Sequence, residues 1–105
     1  MKNNIILLLL LCLLSATPAF AQMNEAEQLA QAQLDAYNAR DIEAFLLPYS
    51  DSVKVYKNLR DFAYQGKERM RAGYTSYFES VDSLYCKLEN RIVMGNIIVD
   101  QEEVS

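Results

Sequence analysis

Two carboxylates near the end of the chain have a spacing that acid–base chemistry can use. Asp100 and Glu102 lie two positions apart in a strand-like segment, so their side chains point to the same face of that strand. A carboxylate removed from water on such a face has a raised pKa and can donate or accept a proton. The alternative is that both face solvent, the usual environment of carboxylates. Two carboxylates are too few ligands to predict a metal site, and we expect no cofactor.

Tyrosines and one asparagine are the further candidates for a binding pocket. The chain has seven tyrosines, of which four are expected to face the interior: Tyr37, Tyr56, Tyr74 and Tyr77. Asn90 lies across a predicted hairpin from the two carboxylates. Tyrosine combines apolar area with a hydrogen-bonding tip, which suits a pocket for a small apolar ligand with one polar group. The same residues would equally suit an ordinary small core.

Three helices are predicted to position these side chains. Apolar residues recur at helical spacing from residue 26 to residue 37 and from residue 70 to residue 81. Asn24 and Asp41 are placed to cap the first helix and a short second helix. Pro48 should end the second helix near Leu47. Gly66 is expected to precede the third helix.

The strands are predicted to be antiparallel. Residues 53–56 alternate as a short strand, and residues 62–64 could form a brief second one. Residues 85–94 also alternate, with Asn90 expected on the face of Cys86 and Arg91 on the opposite face. The turn signal Gly95-Asn96 joins them to a partner strand over residues 97–104. Helices followed by paired strands indicate an α+β fold.

The first 21 residues have the composition of a signal peptide. Lys2 provides a positive start, residues 5–14 form a short apolar run, and Ala19-Phe20-Ala21 provides small residues for cleavage before Gln22. The run is short for a bilayer span, which needs about 20 apolar residues. We therefore predict an exported protein, periplasmic or secreted, with one domain over residues 22–105 and no membrane anchor after cleavage.

Charge and cysteine content exclude several classes of function. Without Lys2 the chain has nine basic and fourteen acidic side chains, and no basic cluster, which argues against nucleic acid as a partner. Cys86 is the single cysteine after cleavage, so no internal disulfide is expected. It is expected to be either a small buried hydrophobic residue or a functional thiol, which would be reactive or would form an intermolecular disulfide. The chain has no histidine, which excludes a Cys–His nucleophile pair and a histidine metal site.

Several segments together resemble one known family. Residues 36–45, AYNARDIEAF, and residues 49–53, YSDSV, are similar to the opening of nuclear transport factor 2-like domains in their SnoaL-like branch. Residues 65–68, QGKE, resemble the start of that family's third helix. Residues 90–96, NRIVMGN, resemble its first long hairpin. The resemblance implies a cystatin-like α+β cone, in which a curved antiparallel sheet packs on about three helices around an apolar pocket.

The resemblance does not carry a reaction with it. The family includes ketosteroid isomerases, dehydratases, polyketide cyclases and members without a known reaction, so the fold does not imply a function. The oxyanion tyrosine of the isomerases aligns with Gln33, and their general-base aspartate aligns with about Lys57. Lysine cannot replace a carboxylate that abstracts and returns a proton. The isomerases' second acid lies on a later strand, beyond Ser105.

Such domains usually continue with two more long strands after this hairpin, so the resemblance implies either a fragment of a longer chain or a truncated sheet. In a truncated sheet, the strand over residues 97–104 would be an exposed edge, which invites pairing with another chain. We therefore expect a homodimer or, failing that, a domain of low stability. The first functional hypothesis is a domain that binds a small apolar ligand or self-associates, and the second is an isomerase-like or hydro-lyase-like enzyme that uses Asp100 and Glu102 as acid and base.

Overall fold

The computed structural model describes residues 23–105, so the predicted signal peptide and the domain start at Gln22 lie outside the described residues. The chain follows the predicted α+β order, with a short β hairpin before the third helix and a longer one after it. The elements are α1 (Glu25–Ala39), α2 (Ile42–Leu46), β1 (Lys54–Lys57), β2 (Asp61–Gln65), α3 (Lys67–Ser80), β3 (Cys86–Met94) and β4 (Ile97–Val104). Within residues 23–105, no helix is long and apolar enough to cross a membrane.

Both predicted helix caps are confirmed. The Asn24 side chain accepts a hydrogen bond from the Glu27 backbone N–H at the start of α1. The Asp41 side chain accepts one from the Ala44 N–H at the start of α2. Each cap satisfies a backbone donor that the first helical turn leaves free. The two caps fix where each helix begins.

The corner between α1 and α2 also holds two distant parts of the chain. Arg40 ends α1 in the left-handed conformation, with φ of 54°. Its guanidinium Nη1 donates to the carbonyl oxygens of Phe78 at 2.9 Å and Val81 at 2.7 Å. A cation suits this position because the last carbonyls of a helix carry partial negative charge. The corner therefore caps the C-terminal end of α3 as well as α1.

The core lies between the three helices and is largely aromatic. Phe45 and Leu46 of α2 are each 1% exposed, and Met70 and Phe78 of α3 are also buried. The Phe45 ring packs on four other aromatic rings at centroid distances of 4.5–6.1 Å, which are those of Tyr37, Tyr49, Tyr74 and Phe78. The predicted apolar faces of the helices supply this core, except that Tyr77, which was expected to face the interior, is 38% exposed.

The strands form two antiparallel hairpins that are not joined to each other by backbone pairing. The β1–β2 hairpin packs on α3, and the longer β3–β4 hairpin packs on α1. The predicted hairpin turn at Gly95-Asn96 is confirmed, with Gly95 in the left-handed region at φ of 60°. Among the described residues, β4 pairs with β3 alone.

One prediction about β3 is wrong because the strand contains a β-bulge. The register shifts between Leu88 and Asn90, and Glu89 is the extra residue. A bulge reverses which side chains face inward beyond it. Arg91 therefore shares the inner face with Cys86, whereas Asn90, expected on that face, is exposed. Uniform alternation in the sequence gave no sign of this extra residue.

Candidate functional site

A cleft of about 340 Å³ lies between α1, the inner face of β4 and the segment after α2. We call it the outer cleft. Its walls are apolar apart from three side chains, Gln33, Asp100 and Glu102. The apolar lining residues are Leu29, Ala30, Pro48, Tyr49 and Ile98. An apolar concavity of this size with a few polar groups has the usual character of a small-molecule site.

A second cavity of about 210 Å³, the inner pocket, lies deeper in the fold, beside Leu34, Tyr37, Tyr74, Cys86 and Val104. Gln33 and Glu102 line both the outer cleft and the inner pocket. The two cavities are therefore neighbours that meet at an amide and a carboxylate.

Asp100 is held by a bidentate ion pair. Arg91 Nε donates to Asp100 Oδ1 at 2.7 Å, and Arg91 Nη2 donates to Oδ2 at 3.0 Å. The Arg91 Nη1 also donates to Gln31 on α1 at 3.0 Å. The two charged side chains are only 8% and 14% exposed. The Asp100 carboxylate raises the pKa of Arg91, and both oxygens of Asp100 are occupied by hydrogen bonds from the guanidinium group.

Glu102 is in a different environment on the same face of β4. The thiol of Cys86 donates to Glu102 Oε2 at 3.2 Å. Burial and, to a smaller extent, the Glu102 carboxylate together raise the pKa of Cys86 to about 11. Cys86 is 3% exposed and is the free cysteine of the described chain. It is therefore a buried neutral thiol, as one of the two sequence interpretations proposed, while Glu102 itself is exposed to the cavities.

Tyrosines supply neutral hydroxyl groups along the same cavities. Burial raises the pKa of Tyr49 to about 12, and Tyr74, Tyr64 and Glu102 contribute to the increase. Burial likewise raises the pKa of Tyr74 and of Tyr37. Phenols with such pKa values remain protonated near neutral pH. They can donate or accept hydrogen bonds there but do not act as bases.

The structure brings together some of the residues predicted for the site and separates others. Asp100 and Glu102 line the outer cleft, and Tyr37 and Tyr74 line the inner pocket. Tyr56 lies on the β1–β2 hairpin, is 51% exposed and packs on Phe62 at 5.7 Å. The bulge places Asn90 outside both cavities.

The two positions that align with isomerase catalytic residues also lie apart. Gln33 lies where the outer cleft meets the inner pocket. Lys57 ends β1, where it is exposed and pairs across the hairpin with Asp61. Among residues 23–105, no three His, Cys, Asp or Glu side chains are grouped so that they could hold a metal ion.

Comparisons with known proteins agree with this architecture. The family model described as "SnoaL-like domain" matches residues 30–105, most of the chain. The chain belongs to the SnoaL-like domain family. It is similar to the crystal structure of an uncharacterised cystatin-fold protein from Novosphingobium aromaticivorans, with a TM-score of 0.69 and 24% identity over 78% of this chain and 69% of that one. A search of curated proteins found no match. The structural likeness supports the fold alone.

The SnoaL-like chain also has site residues that sequence reasoning missed. Arg91 was assigned to the wrong face, so its pairing with Asp100 could not be predicted. Gln33 was noted as a mismatch to the isomerases and not as part of a site. A signal for it was present, because it lies one turn from Leu29 and Tyr37 on the face of α1 that packs inward.

Proposed function

We propose that this SnoaL-like chain is an exported domain that binds a small, partly apolar ligand in the outer cleft and the inner pocket. The observation that carries the proposal is that Gln33 and Glu102 line both the largely apolar outer cleft and the inner pocket. A ligand there would bury apolar surface and make a few directed hydrogen bonds, which fix its orientation. The expectation of no nucleic-acid partner rests on the acidic charge balance.

Binding is favoured over acid–base catalysis because one of the two candidate carboxylates, Asp100, is held in an ion pair. Asp100 has both oxygens occupied by Arg91. An enzyme that used Asp100 and Glu102 as an acid and base pair would have to break that ion pair in each turnover. The isomerase-like or hydro-lyase-like alternative therefore depends on Glu102 alone.

Ligand binding can be tested by fluorescence titration with N-phenyl-naphthylamine, a neutral probe with two linked aromatic groups and one N–H. Ala30 lines the outer cleft, so Ala30→Trp fills it and should weaken binding at least about tenfold, since each 1.4 kcal/mol of lost contact is a factor of ten. Ala32→Trp adds the same ring at an exposed position of α1 and is the matched control. Equal affinities of the two variants would reject the cleft as the site.

Export is proposed from the composition of residues 1–21. Expression of the full chain in a Gram-negative host, followed by cell fractionation and N-terminal sequencing, should give a periplasmic protein that begins at Gln22. A protein that keeps Met1 in the cytoplasmic fraction would contradict the proposal.

Self-association is the second candidate, and it is favoured by the outer face of β3–β4. Ile92, Met94, Ile97 and Val99 are 47–56% exposed there, and they form the cross-strand pairs Ile92–Val99 and Met94–Ile97. A contiguous exposed apolar group of this kind often marks a protein interface. We propose that this face and the free edge of β4 together form the contact of a homodimer.

The dimer can be tested by sedimentation with two variants that add the same charged side chain at different places. Val99→Glu adds a charge inside the apolar group and should convert the dimer to a monomer. Ala72→Glu adds the same side chain at an exposed position of α3, outside the β3–β4 hairpin, and should leave the dimer intact. A wild-type protein that is monomeric at micromolar concentration would reject this candidate.

A further inference from the structure

A third cavity, of about 360 Å³, is lined by Tyr37, Gly73, Tyr74 and Tyr77. We call it the tyrosine groove. Tyr37 and Tyr74 also line the inner pocket. The groove and the inner pocket are therefore neighbours that share two lining residues.

Gly73 is the unusual residue of this groove. It lies in the middle of α3 and is exposed, although glycine is less favourable than almost every other residue inside a helix. Its backbone is helical and is not among the positive-φ glycines, Gly66 and Gly95. A Cβ atom built on Gly73 would meet only Arg69 Nη1, at 4.0 Å. Neither backbone conformation nor close packing therefore requires glycine at this position.

The absence of a side chain at Gly73 leaves open space between the tyrosine rings of the groove. The rings of Tyr74 and Tyr77 each lie 6.4 Å from the Tyr37 ring, with interplanar angles of 76° and 31°. Such walls present aromatic faces and edges, which pack well against a flat ring. The hydroxyl groups of the same residues can bond a polar substituent on that ring.

We propose that the tyrosine groove is a second subsite, which takes a flat apolar or aromatic ring carrying a hydrogen-bonding substituent, and that Gly73 keeps this subsite open. The inference rests on the proposed function, because the ring would be one end of the ligand whose other end lies in the inner pocket and outer cleft. The ligand is then an elongated molecule with at least one flat ring. A compact ligand would not need the groove.

The test compares Gly73→Leu with Ala72→Leu in titrations with N-phenyl-naphthylamine. Gly73→Leu fills the groove, whereas Ala72 is exposed on the same helix and lies outside the groove lining. Gly73→Leu should weaken binding at least about tenfold, since the loss of one buried ring is worth more than one factor of ten. The same variant should melt a few degrees higher than the wild type, because leucine is the better helix former. Ala72→Leu should change neither quantity appreciably.

The outcomes separate this inference from the proposed function. If Ala30→Trp weakens binding and Gly73→Leu matches Ala72→Leu, the groove subsite is rejected and the outer cleft stands. If Gly73→Leu weakens binding and Ala30→Trp does not, the groove stands and the outer cleft is rejected. A wild-type protein that does not bind the probe rejects both. A weakened Gly73→Leu variant that melts lower than the wild type also rejects the groove subsite, because misfolding then explains the loss.

Discussion

The corner between α1 and α2 and the β3–β4 hairpin are built in opposite ways. The corner, residues 37–41, uses almost every side chain for structure: Tyr37 packs in the aromatic core, Arg40 caps α3 and Asp41 caps α2. The hairpin leaves much of both faces open, with apolar side chains outside and two carboxylates inside. The most recognisable segment of the sequence therefore explains the fold, and the candidate site draws on a less distinctive segment.

The largest loss of stability that this contrast predicts is for a substitution of Phe45, beside the corner. Phe45→Ala removes a ring that is 1% exposed and should lower the free energy of unfolding by about 3–5 kcal/mol. Phe62→Ala is the matched control, because the Phe62 ring is 58% exposed on the β1–β2 hairpin; it should cost about 1 kcal/mol or less. Chemical denaturation measures both. Similar losses would mean that the aromatic core is not the main source of stability.

The next largest loss of stability should distinguish the two carboxylates of the hairpin. Asp100→Asn removes the charge that compensates Arg91, whose side chain is 8% exposed, and should destabilise the fold by about 2–3 kcal/mol. Glu102→Gln, at an exposed position on the same face, should change stability by less than about 1 kcal/mol.

A double variant sharpens the test of Asp100. Arg91→Met combined with Asp100→Leu replaces the ion pair with apolar side chains and should recover much of the stability that Asp100→Asn loses. If Asp100→Asn unfolds at the wild-type denaturant concentration, Asp100 is not a structural residue, and its role as an acid or base returns to consideration.

A smaller effect is expected where the corner touches the hairpin. The Asn38 side chain donates to the Cys86 carbonyl at 2.9 Å and accepts from the Cys86 N–H at 2.7 Å. Asn38→Ala leaves both backbone groups without that partner and should cost about 2 kcal/mol. The exposed Asn96→Ala in the hairpin turn is the control. Hydrogen exchange of the Cys86 amide should become faster in Asn38→Ala. Unchanged protection would mean that the two Asn38 hydrogen bonds do not stabilise this contact.

Much of the fold could be predicted because its signals are local. Asn24 and Asp41 precede helices as capping residues do, and Gly95-Asn96 marks a turn without reference to the rest of the chain. The family resemblance covered the same segments and predicted the α+β class. Each of these predictions depended on neighbouring residues and not on distant contacts.

The site could be predicted only in part because it depends on distant contacts. Asp100 and Glu102 were placed correctly on one face, since residues two apart on a strand always share it. The extra residue Glu89 reversed the facing of Asn90 and Arg91, and a bulge has no sequence signal of its own here. Tyr56 was separated from the cavities because the two hairpins do not pair with each other.

The smallest effect concerns the reactivity of Cys86 and not stability. Its pKa of about 11, against an ordinary value of 9.0, reduces the thiolate fraction near pH 8 about a hundredfold, and the thiolate is the reactive form. Alkylation by iodoacetamide should therefore be slow in the folded protein and fast in denaturant. Because the folded-state pKa is raised, any stability linked to the neutral thiol is complete below pH 9 and is lost as the pH rises toward 11.

Glu102→Gln should accelerate alkylation, since it removes the carboxylate that disfavours the thiolate. Rapid alkylation of the folded wild type at pH 8 would mean that the base of the hairpin opens readily, and the contrast between a closed corner and an open hairpin would then extend to Cys86 itself.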